Sequence, residues 1–421
     1  MKQRTNHATP IHRAAKRCKT KVVHVTTIAS SLEFLRGQIE FMKQHGFEAE
    51  VIASPGSDLD EFAESTQVSA FAVEMPRRVS PLRDLCSLRI MWQHLRSLRP
   101  DIVHSHTPKG GMLGMVASWL ARVPVRVYHI HGLPLITATG IQRLLLKLSE
   151  WTACMCATSV LCVSRSVREV AVAEKLCPPE KIKVLLAGSI MGVDAEGFFD
   201  PSKVPCGTAG EVRARYGIPP EAPIVGFVGR MVRDKGIVEL MDAWKELRET
   251  FPELHLLMVG PDDARDALPL GILEHLQSDP RVHLTGFASP LPMYATMDLL
   301  VLPTYREGLP TVVLEASAME LPVVATEVTG CVDAVEDGVT GTLVPAHDAE
   351  SLRIAISAYL ESAELRRKHG RAGRDFVLQY FQPRAVWNAM LGEYRDLIRK
   401  AGGALTEDAP VAETVIKESV R

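Results

Sequence analysis

Between residues 22 and 186 the chain alternates short apolar runs with longer helix-patterned stretches, and from Ile224 it starts the same alternation again. The short runs are rich in Val, Ile and Leu and are bounded by Gly, Pro and polar clusters, so they read as strands buried on both faces. Strict strand–helix alternation predicts a parallel sheet covered on both sides, because every parallel pair needs a crossover long enough to hold a helix. The strands expected in the first half are 22–27, 49–53, 70–73, 102–105, 125–130, 159–163 and 182–186. Helices are expected at 30–45, with Ser30 or Ser31 as its cap, and at 82–98, 110–121, 141–157 and 165–175. Residues 192–210 hold Gly, Pro, Ser and Asp without periodicity and read as a linker or hinge. The second half predicts strands at 224–229, 254–259, 282–285, 298–302, 323–326 and 342–344, with helices at 236–249, near 292–296, at 311–319, near 332–336 and from 349 onward.

With 421 residues the chain is too long for one core. The fold class expected is α/β, with two Rossmann-like doubly wound parallel-sheet domains facing across a cleft. The expected division is a disordered basic arm at 1–20, a first domain at 21–205 and a second at 206–383. A helix at 384–400 is expected to pack back on the first domain, and 401–421 to be a frayed tail.

Hydrophobic residues make up 46% and charged residues 23%, as in an ordinary globular chain, and the net charge of -2 argues against nucleic-acid binding by bulk charge. No apolar run reaches the ~20 residues of a membrane span, and no apolar segment follows the basic N-terminus, so neither a span nor a secretory leader is expected. The eight cysteines are scattered, and the spacing of Cys154 and Cys156 is that of neither a zinc knuckle nor a redox motif. A reducing cytosol is the compartment expected. The basic arm reads first as a solvated tail, and it and the helix 83–99, with Arg83, Arg89, Arg96 and Arg99 beside Leu85, Leu88, Ile90 and Trp92, also suit an anionic membrane surface, the helix alternatively being core-packed.

Three stretches carry candidate chemistry. Arg306-Glu307-Gly308-Leu309-Pro310-Thr311 leads from a buried strand into a helix that contains Glu315. The helix N-terminus suits a phosphate, and carboxylates at Glu307 and Glu315 on either side suit hydroxyls. An ordinary strand–loop–helix with solvated glutamates would carry the same local pattern. Gly229-Arg230 to Lys235-Gly236 also follows a strand and opens a helix, and places two cations where they can neutralise a diphosphate. At the end of a first-domain strand, Tyr128-His129-Ile130-His131-Gly132 puts both histidines on one face. No third metal ligand is evident for them. His131, beside a glycine that permits close backbone approach, is the better ligand-contact candidate, and His104 reads as structural.

Taken together, these residues resemble the family 4 retaining glycosyltransferases, which have the two-Rossmann GT-B fold. The resemblance rests on Glu307 and Glu315 with seven residues between, Gly229-Arg230 to Lys235-Gly236, Thr285-Gly286-Phe287, and Asp337 to Gly341. Val23 to Gln38, Arg99 to Lys109 and His131-Gly132 are similar to the branch that builds capsular and exopolysaccharide repeat units. The resemblance implies a nucleoside diphosphate sugar as donor, most simply a UDP-sugar, a lipid-linked saccharide as acceptor, and no metal or other cofactor. It implies that Arg230 and Lys235 bind the diphosphate, and that Gly308, Leu309, Pro310 and Thr311 meet the phosphates. Glu307 would hold the donor sugar, Glu315 the ribose, Gly286 and Phe287 the base, and His131 would approach the donor sugar from the first domain. The family's glycine-rich first loop reads here as Thr27 to Ser31, where Ser30 or Ser31 can partly replace it. A sugar-nucleotide 2-epimerase and a non-catalytic sugar-nucleotide-binding partner are the competing functions. The paired glutamates argue against the first, and intact Glu307, Arg230 and Lys235 against the second.

Overall fold

The computed structural model describes residues 19–76, 80–263 and 268–403. The basic arm up to residue 18 and the tail from 404 onward lie outside the described residues. Seven parallel strands form the first sheet: β1 (Thr20–Val25), β2 (Phe47–Ala53), β3 (Ser69–Ala72), β4 (Ile102–His106), β5 (Val125–Ile130), β6 (Ser159–Cys162) and β7 (Ile182–Val184). Their order is β3-β2-β1-β4-β5-β6-β7. Along them α1 (Arg36–Gln44), α2 (Ser57–Thr66), α3 (Pro81–Leu98), α4 (Pro108–Leu120), α5 (Gly140–Cys156) and α6 (Arg165–Ala173) make the crossovers. Helix α7 (Thr208–Tyr216) then leads into the second sheet.

That sheet contains β8 (Ile224–Val228), β9 (His255–Val259), β10 (Val282–Leu284), β11 (Leu299–Leu302), β12 (Val323–Thr326) and β13 (Gly341–Val344), in the order β10-β9-β8-β11-β12-β13. Its helices are α8 (Ile237–Thr250), α9 (Leu270–Ser278), α10 (Pro290–Tyr294), α11 (Thr311–Ala318), α12 (Cys331–Ala334), α13 (Ala349–Glu361) and α14 (Ala363–Tyr380), and α15 (Pro383–Lys400) closes the described chain. The two-Rossmann α/β class expected from the alternation is the fold observed.

The strand period of two divides the first core into two layers. Val23, Val25, Val103, Tyr128 and Val160 face α3, α4, α5 and α6, while Val22, Ile102, Val125, Val127 and Leu161 face α1, α2 and α15. Met390, Leu391, Tyr394 and Ile398 of α15 are buried in that second layer, so the last helix completes the core of the first sheet. The Tyr394 hydroxyl and His104 Nδ1 lie 2.6 Å apart at its centre.

Three helices were not expected from sequence: α2, α7 and α9. Helices α7 and α9 bury one side chain each, Val212 and Leu276, and α2 buries only Leu59, Phe62 and Thr66, a stripe of three at helical spacing. Ser30 and Ser31 do not cap a helix. They lie inside a 3₁₀ segment, Ala29–Leu35, whose start has no side-chain cap, because the chain coils immediately after β1. Thr27 instead engages α4: its Oγ1 accepts the Gly110 N–H at 2.9 Å and lies 2.8 Å from Thr107 Oγ1. The 192–210 stretch is ordered and packed, with Val193, Ala195 and Phe199 buried in the second core and the Val193 N–H donating to Phe381 O at 2.8 Å.

Tyr394→Phe is expected to lower unfolding free energy by about 1–3 kcal/mol, because it strips the buried His104 Nδ1 of its partner. Equilibrium denaturant unfolding of the variant beside the wild type measures this.

Candidate functional site

In both sheets the winding reverses beside the first strand, between β1 and β4 and between β8 and β11. Loops leaving those strand ends part to opposite faces and open a crevice, the usual ligand site of a doubly wound sheet. The loops 229–236 after β8 and 303–310 after β11 border the crevice of the second sheet.

Those two loops touch because of Gly236. Its φ is +68°, and a Cβ there would lie 1.8 Å from Pro303 O. No other residue fits such a turn at such a distance. The approach sets Lys235 against Glu307 as an ion pair, with side chains 18% and 15% exposed. Alongside, the Arg306 guanidinium donates to Asp234 at 2.6 Å, and the Tyr305 N–H donates to Asp234 O at 2.9 Å. Tyr305 OH donates to the Glu239 carboxylate at 2.8 Å. Next to the Lys235–Glu307 pair lies the buried Cys331 thiol, pushed well up by burial and by the charge of Glu307, so it stays protonated.

Beyond Glu307 the chain passes Gly308, Leu309 and Pro310 into α11, whose N-terminus no side chain caps. Its first N–H groups and the positive end of its dipole are therefore available to an anion. Glu315 lies in the second turn of α11 and accepts from the Tyr294 hydroxyl at 2.9 Å. Burial raises its carboxyl to about 7, against the opposing effect of that hydrogen bond. Arg230 sits at the rim, about half exposed, and pairs with Asp263 at 3.0 Å. The backbone at Gly286 joins the same layer, since Gly260 N donates to Gly286 O at 2.9 Å and Gly260 packs against Gly229. Phe287 is 92% exposed and lines a cavity of about 390 Å³ with Glu211, Arg215 and Tyr216 of α7.

The two domains meet at this loop. A Cβ on Gly308 would lie 1.8 Å from His131 O, and Gly308 O accepts from Ser164 Oγ at 2.7 Å. Across the same seam Asp333 caps α6, accepting from the Arg165 N–H at 2.9 Å, the Ser166 N–H at 3.3 Å and the Ser166 hydroxyl. Arg306 Nε donates to Thr137 Oγ1 at 2.8 Å. Ser164, Ser166, Asp333 and Tyr294 were not singled out in the sequence. Ser164-Arg165-Ser166 at a strand end was the available signal for a helix cap, but its partner Asp333 is 167 residues away.

His131 Nε2 lies 3.0 Å from His106 Nδ1, and burial lowers its pKa to about 4, so the ring is neutral at pH 7. The expectation that His129 and His131 lack a third possible metal ligand does not hold. His24 stands opposite His104, and His106 opposite His129, in the parallel register. Nitrogens of His24, His104 and His106 lie within 4.8 Å of one another, as do those of His106, His129 and His131. Residues on adjacent parallel strands are far apart in sequence, so spacing alone cannot reveal such a group.

Comparisons with known proteins agree with this architecture. A model of "Glycosyl transferase 4-like domain" matches residues 33–188, and one of "Glycosyl transferases group 1" matches 222–362. The chain is 31% identical to the capsular polysaccharide biosynthesis glycosyltransferase CapM of Staphylococcus aureus, over 91% of this chain and 99% of that protein. It is 26% identical to the Escherichia coli UDP-Gal:alpha-D-GlcNAc-diphosphoundecaprenol alpha-1,3-galactosyltransferase, over 80% of this chain and 87% of that one. The fold matches Anabaena HepE, solved in complex with UDP and glucose, with a TM-score of 0.74 at 18% identity over 90% of this chain and all of that one. The chain belongs to the glycosyltransferases of group 1, with 4-like N-terminal and group 1 C-terminal domains, and it has the GT-B fold.

The raised Glu315 carboxyl sets a pH dependence of stability. Folded protein keeps its proton up to about pH 7, whereas an unfolded glutamate releases it near pH 4.3, so this group's contribution falls as pH rises through that window. Glu315→Gln cannot ionise. Its melting temperature relative to wild type is expected to be higher at pH 8 than at pH 5, read by thermal unfolding at both.

Proposed function

We propose that this glycosyltransferase moves a sugar from a UDP-linked donor to a lipid-linked saccharide, with retention at the anomeric carbon, in building a surface polysaccharide. The observation that carries the reading is the Lys235–Glu307 pair beside the uncapped start of α11. A cation and a helix N-terminus converge there, which favours a diphosphate, and a carboxylate adjoins them, which favours hydroxyls. The name of CapM supports the surface polysaccharide, that of the E. coli galactosyltransferase the lipid-linked acceptor, and the UDP bound to HepE the base.

In this reading the diphosphate lies on the backbone of Gly308 to Thr311, with Lys235 beside it and Arg230 reaching in from the rim. A diphosphate there competes for Lys235 and frees Glu307 to accept the donor sugar's hydroxyls. Glu315 accepts the ribose hydroxyls, and the loop at Gly286 and Phe287 lies by the base. His131 meets the donor sugar as a neutral imidazole from the first domain. The bond from the anomeric carbon to the diphosphate breaks as the acceptor hydroxyl adds on the same face, and its proton passes to the departing phosphate oxygen. Lys235, Arg230 and the helix end supply the positive charge that stabilises the leaving group, so no divalent ion is needed at the diphosphate.

A lipid-linked acceptor calls for contact with the inner face of the cytoplasmic membrane. Among the described residues no helix is long and apolar enough to cross a membrane. Helix α5 turns Ile141, Leu144, Leu148, Trp151 and Met155 outward at helical spacing, each at least 46% exposed. Helix α3 buries Met91 and Leu95 yet leaves Leu82 and Leu85 outside, so it both packs and presents an apolar edge. Exposed Arg89 and Arg96 lie on α3, and Arg143 and Lys147 on α5 share Glu174. An apolar face with cations at its margin suits an anionic bilayer.

Donor-saturation kinetics test the site. Lys235→Ala and Glu307→Gln are each expected to lower turnover by ~10²-fold or more, since each removes a contact that strengthens as charge develops. Glu315→Gln is expected mainly to raise the donor concentration for half-maximal rate, because a ribose contact is alike in ground and transition states. Turnover lost in Glu315→Gln with only affinity lost in Glu307→Gln would reverse the assignment.

For the membrane face, wild-type protein is expected to co-sediment with anionic vesicles and less so as salt rises. The double substitution Leu144→Glu, Leu148→Glu is expected to leave it in the supernatant. Equal recovery of both proteins with the vesicles would remove α5 from the contact.

A further inference from the structure

Of the five histidines gathered on one face of the first sheet, the proposed reaction uses only His131. His104-Ser105-His106 on β4 sends two rings to the same face, and the register sets His24 of β1 beside His104. The ring centroids of His104 and His106 are 4.1 Å apart, and those of His24 lie 5.4 Å from His104 and 5.5 Å from His106. All three residues are almost wholly buried, at 0%, 0% and 1% exposure. Yet His24 Nε2, His104 Nε2 and, next to them, His129 Nδ1 have no hydrogen-bond partner. A buried polar nitrogen without a partner is unfavourable and calls for an explanation.

The surroundings of His104 supply one. Its Nδ1 is held by the Tyr394 hydroxyl at 2.6 Å, leaving Nε2 turned into the cluster. A metal-ligating imidazole is typically held this way, with one nitrogen on the ion and the other hydrogen-bonded to a group that fixes its tautomer. His24 Nδ1 and His106 Nε2, which share a hydrogen bond without an ion, are 3.2 Å apart. Two nitrogens on a tetrahedral zinc, with bonds of about 2.0 Å, lie about 3.3 Å apart.

We propose that His24, His104 and His106 bind one divalent transition-metal ion of the zinc class. A set of three imidazoles suits Zn²⁺ or Co²⁺ and disfavours Mg²⁺ and Ca²⁺, which take oxygen ligands. The fourth position is left to a water molecule, since His129 groups with His106 and His131 and not with His24 and His104. The ion belongs to the first domain and does not serve the diphosphate. It ties β1 to β4. It also acts on the cleft through His106: with Nε2 on the metal, the Nδ1–H of His106 donates to His131 Nε2, 3.0 Å away. His131 then carries its own proton on Nδ1. This last consequence rests on the role proposed for His131; the metal site itself does not.

The test uses untagged full-length protein, stripped with a chelator and titrated with Co²⁺ while visible absorption is recorded. One equivalent is expected to bind with the intense bands of a tetrahedral site, to survive gel filtration and to be displaced by Zn²⁺. His24→Gln and His104→Gln are each expected to abolish the bands, and His275→Gln, at an exposed position on α9, to leave them intact. Circular dichroism of the metal-free variants shows whether each folds; if His104→Gln does not, His24→Gln decides. Wild-type protein that retains no Co²⁺, or bands unchanged in both cluster variants, would overturn the proposal. Failure of the transferase reading looks different: cobalt bands that depend on His24 and His104 in a protein that releases no nucleoside diphosphate.

Discussion

The close approach of two loops in the second domain governs the site. Gly236 can take a left-handed turn within van der Waals reach of Pro303 O, and any side chain there would push the loops apart. Lys235 and Glu307 meet as a result of that contact, though they are 72 residues apart. Asp234 and Arg306 fix the same seam one residue back on each loop. An ion pair that is mostly withdrawn from water is costly to leave half-made. The pair therefore holds the two loops together. A second glycine repeats the device between domains, where Gly308 lies against His131 O and lets the sheets close on one another.

The first domain is built on the opposite electrostatic principle. Its strand ends bring together neutral imidazoles where the second domain brings together opposite charges. Burial lowers the pKa of His24 and His131 to about 4, and that of His104, His106 and His129 well below the ordinary value. Neutral rings can form a continuous network, and His24, His106 and His131 are linked at 3.2 and 3.0 Å. That network runs from the core layer beneath α15 to the loop that touches Gly308. The last helix reaches the same histidine cluster, since Tyr394 holds His104 from the far end of the chain.

The domains are joined by hydrogen bonds that replace water on helix ends. Asp333 completes the N-terminus of α6 from across the cleft, and Gly330 N donates to Ser166 Oγ at 2.8 Å. These contacts are polar and small in number, the character of an interface that can open. A donor sugar and an acceptor have to enter between the two sheets, and polar seams part at less cost than apolar ones.

The amino-acid sequence by itself determined the two doubly wound sheets, because buried parallel strands require continuous apolar runs and their crossovers require helices. It also determined that Glu307, Lys235 and His131 lie at strand and helix ends and Glu315 inside a helix, since glycine and proline mark where each run stops. It did not disclose α2, whose buried stripe is only three residues long, or α7 and α9, which bury one side chain each. Contacts between distant segments were settled by tertiary structure alone. Lys235 against Glu307, Asp333 on α6, Tyr294 on Glu315 and five histidines on one face all join residues that sequence spacing keeps apart. Phe287 shows the same limit from the other side: it has the neighbours of a site residue in the chain, yet its ring is turned out to solvent. Local sequence sets period and termini, whereas the register of parallel strands and the direction of each loop are fixed only when the sheets pack.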